Sequence, residues 1–154
     1  MPQFSLTVET TSNATAGAAN SNTAIQILAP ATKQFRLIGV LIHQHATAAG
    51  ENIGRWVIDR ITAVGSGSAL TPLLLSEDGA ASAITDATKT ISTTVAAGNT
   101  AEDAAIVDLQ PGWNWFVGPG MPAVMSGIAK GFALRRATAP TGARIVVATL
   151  IWEE

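Results

Sequence analysis

Cysteine and tyrosine are both missing from this chain. Without cysteine there is no disulfide, no thiolate metal site and no thiol nucleophile. Charge is scarce as well. Only 13% of the 154 residues are charged, against a usual share of about 25%. The net charge is −2, so no basic surplus exists to neutralise phosphates, and neither a nucleic-acid partner nor a polybasic membrane surface is expected. No apolar run approaches the roughly 18 residues that a spanning helix needs. The opening MPQFSLTVETTS has no basic segment followed by an apolar one, so it does not read as a secretory leader. The expectation is a soluble protein made in a cytoplasm.

What the chain has instead is small polar residues and short β-prone runs. The most strand-like is ARIVVATLIWEE, Ala143 to Glu154. In an extended chain Ile145, Val147, Thr149 and Ile151 fall on one side, and Val146, Ala148, Leu150 and Trp152 on the other. Both sides are mostly apolar, which predicts a central strand with both faces covered. Further strands are read at Phe4–Val8, Thr23–Ala29, Phe35–His43, Arg55–Thr62, Ala69–Leu75, Lys89–Val95 and Lys130–Arg136. Pro72 marks the Ala69–Leu75 run as an edge or a bulge. Gly, Pro, Ser, Thr and Asn clusters separate the runs, and no long amphipathic helix alternates with them.

Eight to ten short strands with turn signals between them predict an all-β protein, an antiparallel β-sandwich of jelly-roll type with little or no helix. The small, polar, aperiodic stretch Glu9 to Thr23 reads as a loop or arm. The expected division is therefore residues 1–22, a strand plus polar arm, and residues 23–154, the sandwich. On that division, removing Met1 to Asn22 leaves the fold intact. The sequon Asn13-Ala14-Thr15 has no secretory context and reads as accidental.

Few constellations carry chemistry. His43 and His45 stand two apart on a strand, so both imidazoles point one way and could share a metal. Gly39, Glu51 and Gly54 around them echo a cupin, but with different spacings, and these two are the only histidines. The simpler reading is a pair of strand-end histidines, with no metal and no cofactor. Trp113 and Trp115 alternate beside Pro111-Gly112 and Gly118-Pro119-Gly120. They could pack under the sheet, anchor a subunit contact or stack on a sugar, in that order. Phe116 and Met121 extend the same candidate interface. Arg135, Arg136 and Arg144 flank one turn and form the only local basic cluster, for which a carboxylate across an interface is the expected partner. Asp59 and Arg60 face opposite sides of their strand. Glu153 and Glu154 read as a solvated acidic tip. No Ser/His/Asp set and no carboxylate pair emerges, so no enzyme is expected. Gly65-x-Gly67 lacks the third glycine and the helix of a dinucleotide fingerprint and reads as a turn.

The layout as a whole resembles a known class. Ala29-Pro30-Ala31 leads into FRLIGVLI, then RWVIDRIT, then a Gly/Ser turn before ALTPLLL. DLQPGWNWFVGPGMP follows, and the chain closes on LIWEE. From Thr23 to Glu154 this is similar to the jelly-roll head decoration, or cement, proteins of tailed bacteriophages. The resemblance implies a structural virion protein on the capsid exterior that clamps neighbouring major capsid subunits, often as a homotrimer. It implies no catalytic group and no cofactor, and the polar N-terminal segment would be a capsid-binding arm or a loop. The alternative is a carbohydrate- or receptor-binding sandwich that uses Trp113 and Trp115.

Overall fold

The computed structural model describes residues 1–12, 23–46, 54–64, 68–75, 80–84, 86–91, 100–107, 112–118, 124–136 and 144–154. They form twelve strands: β1 (Gln3–Ser12), β2 (Thr23–Leu28), β3 (Arg36–Ala46), β4 (Gly54–Ile61), β5 (Ser68–Ala69), β6 (Leu73–Leu74), β7 (Asp86–Ile91), β8 (Thr100–Val107), β9 (Trp113–Phe116), β10 (Val124–Met125), β11 (Gly131–Arg136) and β12 (Arg144–Glu153). Among the described residues there is no helix. The count exceeds the expected eight to ten because β5, β6 and β10 are only two residues long.

Every pairing is antiparallel, and the pairings have a simple logic. β1 pairs with β12, β2 with β11, β3 with β9 and β10, and β4 with β8. The chain is thus one long hairpin, its two halves running side by side. That ribbon then rolls up, so that β12 also meets β3 and β11 also meets β4. The result is two sheets. One has the order β10-β3-β12-β1-β6, with β9 beside β10 along the same flank of β3, and the other has the order β5-β7-β2-β11-β4-β8. This interlocked double Greek key is the jelly-roll sandwich. The segment at the hairpin's tip, between β4 and β8, returns to the opening of the roll. There β6 extends the first sheet beside β1, and β7 extends the second beside β2.

Alternation builds the core. Phe4, Leu6 and Val8 of β1, Leu37, Val40 and Ile42 of β3, and Val146, Ala148, Leu150 and Trp152 of β12 point inward from the first sheet and are buried. Ile25 and Ile27, Trp56 and Ile58, and Phe132 and Leu134 answer from the second. Trp152 is the hinge pin of this packing. Its ring stacks on Phe4 at 5.9 Å and meets Phe35 edge-on at 6.2 Å. Phe35 in turn meets Phe132 of the opposite sheet at 5.6 Å, so one aromatic chain ties the two layers together. Gly131 opens β11 where the backbones of β11 and β2 come so close that a Cβ would overlap the Ile27 carbonyl oxygen. Only glycine fits there.

Two expectations need correction. β1 is ten residues long and lies between β12 and β6, so the sandwich begins at Gln3 and not at Thr23. The polar Glu9–Ser12 stretch is extended because β12 offers it a complete ladder, through to Ser12 opposite Arg144. β12 is indeed flanked on both sides, but only its inward face is covered. Ile145, Val147, Thr149 and Ile151 on the other face are half-buried. The β-prone Lys89–Val95 run overlaps β7, Asp86–Ile91, and its residues 92–95 lie outside the described residues. The sequon, Gly65–Gly67 and Glu51 lie outside the described residues.

Candidate functional site

The register of the first sheet defines its outward face row by row. Directly paired residues share a face. One row runs Leu73, Ser5, Ile151, Gly39, Phe116 across β6, β1, β12, β3 and β9. The next runs Thr7, Thr149, Leu41, Asn114, with the Thr7 and Thr149 hydroxyls hydrogen-bonded at 2.9 Å. A third runs Glu9, Val147, His43. On the other side, Gln3, Glu153, Arg36 and Met125 align. Gln3 Nε2 donates to Glu153 Oε1 at 2.9 Å, and Arg36 Nη1 lies 3.5 Å from Glu153 Oε2. The guanidinium and carboxylate offset each other, and Glu9 is the other charged residue of these four rows. The Phe116 ring lies over Gly39, where a Cβ would come within 2.7 Å of Cε1. Glycine at 39 leaves the room that the ring occupies.

The sequence-predicted candidates are placed as follows. Trp113 and Trp115 pair with the inward Ile42 and Val40 and pack against the core, partly buried. Phe116, the next residue, faces outward and is exposed. His43 is exposed on the outward face, with its imidazole against Gly112. His45 lies two residues on in β3, opposite Ile145. Among the described residues no three His, Asp or Glu side chains gather as a metal cluster. Arg135 finds its carboxylate within the chain and not across an interface: its Nε donates to Asp59 Oδ2, one strand away. The other oxygen of Asp59 has no partner among the described residues, although the side chain is buried. Arg60 points the opposite way from Asp59, its guanidinium 5.3 Å from the Phe132 ring centre. Arg136 pairs with Trp56 in the β11–β4 ladder. Met121 lies outside the described residues.

The acidic end is engaged, contrary to the solvated tip expected from sequence. Glu154 Oε1 accepts from the Ser82 hydroxyl and, at 3.0 Å, from Trp152 Nε1, while Oε2 accepts from the Ala83 amide at 2.7 Å. One carboxylate thus satisfies the buried indole and fastens the segment that brings Ile84 into the core. Beside it lies a shallow cavity of about 330 Å³, walled by Phe4, Leu70, Pro72, Leu74 and Ile84. This is near the lower size limit for a small-molecule site, and the Ser82 hydroxyl on its wall is already engaged by Glu154.

Sequence reasoning missed Leu73, Leu75 and Met125 as exposed surface residues. Their exposure depends on which strands end up at the sheet edges, and that is a property of the pairing. The one local signal was Pro72, which marked the Leu73 strand as an edge. Comparison with family models, with curated proteins and with solved structures finds no match to the chain.

Proposed function

We propose that this protein is a structural virion component, a decoration or cement protein that binds the outside of a bacteriophage capsid and stabilises it as a homotrimer. The observation that carries this proposal is the outward face of the first sheet. Its central residues are Ser5, Thr7, Thr149, Ile151, Leu41 and Gly39, with its one guanidinium offset by Glu153. A surface with few charges to desolvate favours extended protein–protein contact, since charged residues are depleted in interface cores. The same surface offers no electrostatic attraction to phosphate or to a membrane. A carbohydrate platform would need open indole faces, whereas Trp113 and Trp115 pack against the core, so adhesion to protein is favoured.

The test is co-sedimentation of the purified chain with empty shells of the major capsid protein encoded with it, followed by thermal melting of the loaded shells. Saturable binding with a raised shell melting temperature is expected. Absence of binding, or binding without any gain in shell stability, overturns the proposal.

A further inference from the structure

We propose that the two edges of the first sheet are the two halves of one self-association contact, so that copies of this chain join head to tail, the β6 edge of one against the β9/β10 edge of the next.

The large apolar side chains exposed among the described residues are Met1, Leu73, Leu75, Phe116, Met125 and Ile128. Met1 aside, they fall into two groups. Leu73 and Leu75 lie beside β1 at the β6 edge. Phe116 and Met125 lie on β9 and β10 at the opposite edge, and Ile128 sits in the turn after β10. The groups match in register. Leu73 and Phe116 end the same cross-strand row, the one through Ser5, Ile151 and Gly39. Leu75 continues β6 with its amide on the Gln3 carbonyl at 2.9 Å, and Gln3 begins the row that ends at Met125. Each of the two rows therefore carries an exposed apolar side chain at both ends: Leu73 at 66% and Phe116 at 53%, Leu75 at 49% and Met125 at 37%. If a second copy is set beside the first with its rows aligned, Leu73 meets Phe116 and Leu75 meets Met125.

At no more than about 200 Å² per side chain, Leu73, Leu75, Phe116, Met125 and Ile128 together expose at most about 500 Å². The smallest specific interfaces bury about 1,200 Å² in total, a little over half of it apolar. Among the described residues β6, β9 and β10 also have no strand on their outer sides, as pairing with an incoming strand requires. The occupant is a second copy because the two patches end the same rows, so a neighbour set beside the first with its rows aligned brings one patch against the other. A contact between unlike patches leaves one of each free at the ends of any open chain, so it closes into a ring or continues as a filament. A trimer is one such ring. The inference rests on the self-association in the proposed function and not on the shell.

The test uses light scattering coupled to gel filtration on the full chain and on Leu73→Glu and Phe116→Glu. Both positions are exposed, and circular dichroism verifies folding. If either variant misfolds, Leu75→Glu and Met125→Glu replace the pair. The native protein is expected to run as an oligomer. Each variant alone should fall to the 15.8 kDa of one chain. An equimolar mixture should recover a species of twice that mass, because each variant keeps the patch that the other has lost. A monomeric native protein overturns the inference. So does loss of assembly in only one variant, which would mark a symmetric contact through that edge, or a mixture that fails to pair. A native oligomer that ignores shells defeats the capsid proposal alone, whereas a shell-binding monomer defeats this inference alone.

Discussion

At the scale of single residues, the polar groups that matter most are those fixed inside a nearly uncharged molecule. Glu154 holds three donors, from Ser82, Ala83 and Trp152. Leaving a buried donor without its acceptor costs about 1–3 kcal/mol. Glu154→Ala is therefore expected to destabilise the fold by roughly 2 kcal/mol, or about 4–8 °C in melting temperature for a chain of this size. Glu154→Gln should recover part of the loss, because its carbonyl oxygen still accepts. Thermal melts of the three proteins check this. The Arg135–Asp59 pair behaves differently. The Asp59 side chain is 1% exposed and has one unpartnered oxygen. Removing one partner of a buried pair costs about 3–5 kcal/mol, whereas replacing both by apolar residues is often neutral. Arg135→Met should accordingly be far more damaging than Arg135→Met combined with Asp59→Leu, as measured by urea denaturation. Equal losses would show that the pair is valuable in itself.

At the scale of elements, β1 shows what the order of residues reveals and what it conceals. Phe4, Leu6 and Val8 alternate visibly, and the structure buries all three. The polar run after them has no such pattern, yet it is strand as far as Ser12, because β12 pairs with it residue for residue. Tertiary pairing overrides local propensity there. Deleting Met1–Ser12 therefore removes three core side chains worth about 1.5–3 kcal/mol each and exposes the edge of β12. Against a total stability of about 5–15 kcal/mol, the truncated chain is expected to be unfolded, with a random-coil circular dichroism spectrum. A cooperative melt would contradict this. The long runs were legible as apolar, β-branched-rich stretches bounded by turn residues: FRLIGVLI, RWVIDRIT and IVVATLIW lie in β3, β4 and β12, although apolar residues on both sides of β12 did not mean that both its faces are covered. The two-residue strands β5, β6 and β10 were not, since only their neighbours make them strands. The candidate surface was half legible for the same reason. Phe116 was read from its aromatic cluster, but its facing residues on β6 could be assigned only once the register across five strands was known. The inward turn of the two indoles follows from their pairing with Ile42 and Val40, which no local pattern announces.

At the scale of the whole molecule, the jelly roll is a hairpin whose halves are joined along their full length and then coiled, so nearly every stabilising contact spans a long stretch of chain. β1 and β12 pair across almost the entire sequence, and such topologies fold slowly because loop closure precedes reward. The closing pair has a mechanical consequence too. Gln3 and Glu153 lie side by side at the same end of an antiparallel ladder, so tension applied there opens the rungs one at a time. Tension drawn across the sheet, perpendicular to its strands, pulls instead on many rungs together. A scaffold built this way is weak when peeled from its own ends and strong when stretched sideways.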